Sequence, residues 1–238
     1  MKKLITIMAM AMAIFAVNAK TLVVYYSYTS NVNKIVTELT KQIDADAVRI
    51  EPAEKGLDYA ANNYAIGSAQ IASIRNNPNN ASSYPAIDPV NVNFADYDCI
   101  IIGAPLWWSQ MAAPLQTFLF HNGSAMAGKK IGLIVSSASS GISGVESDAK
   151  RLIPDGDFLS PSLWIKSAQT SNSATLIEQW LKDINYNAMA GVENIQLDQS
   201  SANYTVYSIS GSLIGKNIKS IEGLDKGLYI INGKKICK

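Results

Sequence analysis

The run Cys99-Ile-Ile-Ile-Gly103, followed by Ala104-Pro-Leu-Trp-Trp-Ser109, constrains this chain more than any other stretch. Five apolar or small residues in a row leave no polar face. The segment therefore predicts a strand buried on both sides, as in a parallel sheet. Asp96-Tyr-Asp98 bounds it on one side and Pro105 on the other. Open α/β sheets bind ligands outside the carboxyl ends of their strands, where Trp107 and Trp108 fall. Indole offers broad apolar faces with few rotors to freeze, so the pair suits a flat heteroaromatic ring. The plainer reading packs one indole beneath the sheet and leaves the other exposed without purpose.

Around that strand the chain alternates strands and helices. Thr21–Ser27 predicts a first strand, and Ile35, Val36, Leu39 and Ile43 then recur at helical spacing. Ala47–Ile50 predicts strand two, residues 59–75 a second helix and residues 111–121 a third. Lys130–Ser136 predicts strand four, 142–152 a helix, 157–166 a fifth strand and 174–184 a closing amphipathic helix. This alternation implies an α/β fold with a five-stranded parallel sheet covered on both faces. Five strands fit the doubly wound order 2-1-3-4-5, whose switch point lies between strands one and three. After Asn185 the pattern changes. Residues 186–203 read as a polar linker and 204–238 as a β appendage, where Asn232-Gly233 between apolar flanks signals a hairpin. A segment of roughly 35 residues buries too little surface to stand alone, so the tail must dock, bind or move.

Residues 1–19 carry Lys2 and Lys3, an apolar stretch and small residues at Val17 and Ala19, the layout of a secretory signal peptide. The apolar stretch is short for a spanning anchor. No cysteine near position 20 offers a lipid site and no twin-arginine pair is present. The expectation is an exported protein, periplasmic or at the cell surface, with its folded domain over 20–185 and no membrane span after signal removal. Without Lys2 and Lys3 the chain has 18 basic and 19 acidic residues, a balance that favours neither nucleic acid nor a strongly charged membrane as partner. Cys99 and Cys237 are too few for a disulfide framework. Cys99 reads as a small hydrophobe.

Three loops should gather at one sheet edge. The first, Ser27-Tyr-Thr-Ser-Asn-Val-Asn33, enters a helix N-terminus, where backbone N–H groups with Ser27, Thr29 and Asn31 make an anion site. An ordinary Ser/Asn cap would satisfy the same residues. The second holds Pro105, Leu106, Trp107 and Trp108. The third, Ser136-Ser-Ala-Ser-Ser-Gly141, has side chains small enough to let backbone amides meet a ligand edge, or is simply a flexible loop.

Together these loops resemble the flavodoxin family over about residues 21–184. The resemblance is to a bacterial branch with Gly-x-Pro-x-Trp-Trp after strand three, matched by Gly103, Pro105, Trp107 and Trp108. Asp58-Tyr59 and Tyr97-Asp98 match its other two pairs. The resemblance implies FMN as cofactor. Its phosphate would lie at Ser27, Thr29, Ser30, Asn31, Val32 and Asn33, its ring at Pro105, Leu106, Trp107 and Trp108, and its polar edge at Ser137, Ala138, Ser139, Ser140 and Gly141. The chain departs from the family where Ser30 replaces a glycine, Val32 a threonine, and Ala138 and Ser139 a glycine pair. Val32 offers phosphate only its backbone N–H, and a positive φ at Ser30 would cost about 1 kcal/mol or more. Val206-Tyr-Ser-Ile-Ser-Gly211 and Gly227-Leu-Tyr-Ile-Ile-Asn-Gly233 resemble C-terminal domains of type IX secretion cargo, which implies outer-membrane translocation or surface attachment. An accessory hairpin packing on the core stays open beside it.

His121, the single histidine, falls at a helix end, where facing the negative pole is commonplace. With one histidine no metal cluster is indicated. Asp58, Asp96 and Asp98 read as caps or turns, and no catalytic set is visible. Three functions follow: an FMN electron carrier with a redox protein partner, a flavin-dependent NAD(P)H:quinone-type reductase, or a secreted non-redox protein that has lost the flavin. The carrier is the leading expectation.

Overall fold

In the computed structural model, which describes residues 20–189, 203–225 and 227–237, the elements follow the expected alternation. They are β1 (Thr21–Tyr25), α1 (Asn31–Gln42), β2 (Ala45–Arg49), α2 (Ala61–Asn76), β3 (Cys99–Trp107), β4 (Gln110–Met111) and α3 (Ala113–Asn122). Then come β5 (Lys130–Ser137), α4 (Ser143–Leu152), β6 (Asp157–Phe158), β7 (Leu163–Lys166), α5 (Ser173–Asp183) and α6 (Tyr186–Met189). The expected signal segment and most of the expected linker lie outside the described residues. Among the described residues no helix is long and apolar enough to cross a membrane.

The main sheet runs β2-β1-β3-β5-β6, all parallel, with β7 also paired to β5. With the two-residue β4 set aside, this is the doubly wound order read from the sequence. The fifth strand is interrupted: Asp157–Phe158 pairs with Lys130–Ile131, and Leu163–Lys166 pairs with Ile134–Ser137.

The apolar runs explain the layering. Successive strand residues point to opposite faces. Leu22, Val24, Ile100, Ile102 and Leu133 join one buried cluster, while Val23, Cys99, Ile101 and Ile134 join the other. Residues of α2, α3 and α4 close the first face, and residues of α1 and α5 close the second. Cys99 is buried, and desolvation pushes its thiol up to about 12, in keeping with its reading as a small hydrophobe.

Two boundaries differ from expectation. The third strand runs on past Gly103 to Trp107, because Leu106 and Trp107 pair back with Met111 and Gln110. The linker expected from 186 begins as α6. Tyr186 is 2% exposed, and its hydroxyl shares a 2.8 Å hydrogen bond with Thr21 Oγ1 at the start of β1. The folded unit thus reaches beyond Asn185.

The tail forms its own antiparallel sheet. β8 (Tyr204–Ser208), β9 (Leu213–Ile218), β10 (Leu228–Ile231) and β11 (Lys234–Cys237) lie in the order β11-β10-β8-β9. Asn232 and Gly233 have φ of 51° and 80°, the pattern of a tight hairpin turn. Tyr204, Val206, Ile231 and Ile236 make a small core. Leu228 packs against the α1–α5 layer, and Lys235 Nζ lies 3.4 Å from Asp44.

Candidate functional site

Strand register brings the three loops to one edge. Tyr25 pairs with Gly103 and Pro105 with Ser136, so the segments after β1, β3 and β5 all emerge at the carboxyl end of the sheet. Strain collects there too. Of nine non-glycine residues with positive φ among the described residues, Ser30, Trp108 and Ser109 lie in these loops, and Asn62, Asn63 and Tyr64 lie in the first turn of α2. Left-handed backbone in such residues persists only where surroundings impose it, and it clusters at functional sites.

Trp108 and Ser109, with φ of 46° and 63°, form the two-residue turn between β3 and β4. Neither residue type favours that conformation, so tertiary contacts must hold it. Gly67 on α2 supplies one: a Cβ there would come within 3.0 Å of Trp108 Cζ3 and 3.5 Å of Trp107 Cε3. Gly144 at the start of α4 supplies another, since a Cβ would overlap the Ser109 carbonyl oxygen outright. Asp148, buried on α4, accepts the Met111 N–H at 2.9 Å and pairs with Arg151 at 3.1 Å. Arg151 in turn donates to Gln116 Oε1 at 2.8 Å and to Tyr84 Oη at 3.0 Å.

The tryptophans are one part of a larger aromatic wall. Trp107 meets Tyr26 edge-on at 5.6 Å, Tyr59 at 4.8 Å and Trp108 at 6.4 Å, and Tyr59 meets Tyr28 at 5.4 Å. Trp107 is half-buried, whereas Trp108 is 42% exposed. The Tyr28 hydroxyl donates to Asp58 Oδ1 at 3.0 Å, and the same oxygen accepts the Ala60 N–H at 2.9 Å. Those bonds hold the Asp58 carboxyl below the ordinary carboxylate range, the Ala60 amide contributing most. Burial raises the Tyr26 and Tyr59 hydroxyls, so both remain protonated. The buried Gln110 Oε1, just past the turn, has no hydrogen-bond partner.

The first loop ends at Ser30, with φ 65° and no side-chain cap bond. The helix that follows has no acidic residue in its first turn. By helix geometry the N–H groups of Asn31 and Val32 have no intrahelical acceptor. Ser27 is buried, and its Oγ accepts the Asn33 N–H at 3.1 Å. Thr29 is exposed. Two residues of this loop turn their side chains inward. The Val32 side chain is buried against the Gly103 backbone, and Asn33 Oδ1 accepts the Tyr25 hydroxyl at 2.9 Å.

In the third loop Ser137 is also inward. Its Oγ donates to the Ser140 carbonyl at 2.8 Å and accepts Trp164 Nε1–H at 2.8 Å, so its hydroxyl is already committed. Ala138, Ser139, Ser140 and Gly141 form the exposed rim. His121 stands apart at the far end of α3, where it lines a cavity of about 400 Å³ with Tyr84, Asp88 and Phe118. Tyr26, Tyr28, Gly67, Gln110, Gly144 and Asp148 escaped the sequence reading. Only the tyrosines left a signal, the Tyr25-Tyr-Ser-Tyr28 run at a strand's end.

The donor set fits FMN. An uncapped helix N-terminus free of acids suits a phosphate, an aromatic wall at the same edge suits a flavin ring, and the orphaned Gln110 oxygen lies in the neighbouring strand.

Residues 20–184 match the family model described as Flavodoxin. Among solved structures, a protein of Bacteroides eggerthii described as a flavoprotein is 25% identical, with a TM-score of 0.56 over 71% of this chain and 99% of that one. One of Bacteroides uniformis is 25% identical, with a TM-score of 0.53 over 69% and 99%. A Lactobacillus acidophilus flavoprotein in complex with FMN is 20% identical, with a TM-score of 0.52 over 66% and 99%, and speaks for the fold alone. No curated protein matches the chain.

Proposed function

The chain belongs to the flavodoxin family, and from that premise we propose that it binds FMN and serves as an exported electron carrier to a redox protein. The observation that supports this most is the aromatic wall of Trp107, Trp108 and Tyr59 standing at the same sheet edge as the uncapped α1 N-terminus. Asn31 and Val32 would offer their amides to the phosphate. Trp107 and Trp108 would lie against the ring and exclude water from it, and the 138–141 rim would face its polar edge. The flavin, when bound, supplies one- or two-electron chemistry, while the protein binds it, orients it and tunes its potential. Export rests on the basic and apolar pattern of residues 1–19, and the tail's likeness to type IX secretion cargo extends that route to the outer surface.

A second reading has one specific observation in its favour. Ser30 holds a left-handed backbone that the family's glycine would adopt without strain, and Val32 turns inward where a threonine would offer a hydroxyl. A chain that kept the fold and lost the flavin would show these changes. Titration of the protein with FMN, followed by flavin fluorescence quenching, separates the two. Saturable quenching supports the carrier, and its absence leaves the non-redox reading. Steady-state oxidation of NAD(P)H with added quinone would instead identify a reductase.

A further inference from the structure

The described residues expose six large apolar side chains, and these fall in two places. Tyr64 and Trp108 stand at the loops already described. Tyr207, Ile209, Leu213 and Ile214, each 37–57% exposed, gather at one end of the tail sheet. Tyr207 faces Leu213 across the β8–β9 pair, and Ile209 lies in the turn between the strands. The tail's own core is filled by Tyr204, Val206, Ile231 and Ile236, so the tip residues are not needed for it. An exposed apolar cluster of this kind marks a contact site.

Charge indicates with what. From Lys20 onward the net charge of −1 conceals a division. Between 204 and 238 six lysines stand against Glu222 and Asp225, a net +4, while residues 20–203 carry −5. Lys216 in β9 is exposed three residues from Leu213, and Lys219, also exposed, follows the far end of that strand.

We propose that the β8–β9 tip docks on an anionic lipid bilayer. Tyr207, Ile209, Leu213 and Ile214 enter the boundary between headgroups and acyl chains, Lys216 lies nearest the anionic headgroups, and Lys219 adds its charge from further along the hairpin. The lysines contribute an attraction that salt screens, and the apolar side chains contribute one that salt leaves standing. Nothing in this arrangement depends on whether a flavin binds.

The test is co-sedimentation of the chain from Lys20 to Lys238, which retains every described residue, with vesicles of phosphatidylcholine containing phosphatidylglycerol. Vesicles of phosphatidylcholine alone are the comparison. The expected result is binding to the mixed vesicles only. It should weaken about tenfold or more in Leu213→Ser/Ile214→Ser and again, independently, in Lys216→Glu/Lys219→Glu. All four side chains are exposed, so both variants should keep the parent's circular dichroism. Should one misfold, the other decides. Equal binding to both vesicles, binding to neither, or undiminished binding by the folded variants would overturn the proposal. A concentration-dependent dimer that the tip variants abolish, without vesicle binding, would assign the patch to a second copy of the chain instead.

Discussion

The β3–β4 turn and the 27–33 loop emerge at the same sheet edge, yet different parts of the molecule hold them. Gly67 on α2 and Gly144 and Asp148 on α4 clamp the turn, all distant from it in sequence. The α1 end of the loop is tied by its immediate neighbours, Ser27 Oγ to the Asn33 N–H and the Tyr25 hydroxyl to Asn33, and carries its strain at Ser30, while Tyr28 reaches Asp58 and the Ser27 carbonyl accepts from Arg49. The aromatic wall is therefore a product of tertiary packing and the anion end a product of local backbone. Substitutions far along the chain should disturb the first, and residues at the α1 end of the loop should do most to tune the second.

The largest expected effect is at Gly144. Alanine there meets the Ser109 carbonyl oxygen, a backbone atom that cannot swing aside, so either α4 or the turn must shift. Overpacking of this kind should cost about 3 kcal/mol in urea unfolding, with flavin affinity falling as Trp108 moves. Gly141→Ala is the matched comparison, since a Cβ there meets nothing within 4 Å. It should change stability by less than about 0.5 kcal/mol. Equal behaviour of the two would mean that α4 does not clamp the turn.

Asp148 comes next. Asp148→Ala leaves the Met111 N–H and the Arg151 guanidinium without their buried acceptor, and should cost about 2–3 kcal/mol. Asp148→Asn retains a carbonyl for Met111 and should cost less. Unfolding of both by urea, at a pH where carboxylates are charged, checks the order. If Asn proves as costly as Ala, the charge pairing with Arg151 outweighs the hold on the turn. Smaller again, and read as affinity rather than stability, is the loss of one indole. Trp107→Ala or Trp108→Ala should weaken FMN binding by about 1–3 kcal/mol through lost stacking and apolar contact. Unchanged affinity in both would place the ring elsewhere.

The contrast between turn and loop also explains what could be read from the sequence. Strand order and layering were legible because Thr21–Ser27, Cys99–Gly103 and Lys130–Ser136 are apolar runs whose periodicity needs no partner to interpret. The tryptophan pair was legible by its place after a strand. The turn that presents it was not, because Trp108-Ser109 carries none of the Asn-Gly or Gly-x chemistry that marks a tight hairpin. Its left-handed backbone is imposed by α2 and α4. The inward course of Val32 and Ser137 was hidden for a related reason. A valine in a first helical turn and a serine at a strand's end take their direction from the layer behind them. Tyr186 looked like the start of a linker because its partner, Thr21, lies 165 residues away in sequence.

The smallest expected effect tests the local side of the comparison. Ser30 stands at φ 65°, its side chain makes no cap bond, and it is exposed, so replacing it by glycine removes no contact that holds α1. Relief of the left-handed penalty is worth roughly 1–2 kcal/mol. The greater freedom glycine gives the unfolded chain takes back about 0.4–1 kcal/mol. A net gain of up to about 1 kcal/mol in urea unfolding is therefore expected of Ser30→Gly. Flavin affinity should rise by no more than that amount, because the substitution can only favour a geometry the loop already holds. Ser30→Ala keeps a Cβ in the left-handed region and should show no gain, which separates backbone relief from loss of the hydroxyl. If Ser30→Gly destabilises the protein instead, the hydroxyl contributes something that outweighs the strain, and the α1 end of the loop is not set by its backbone alone.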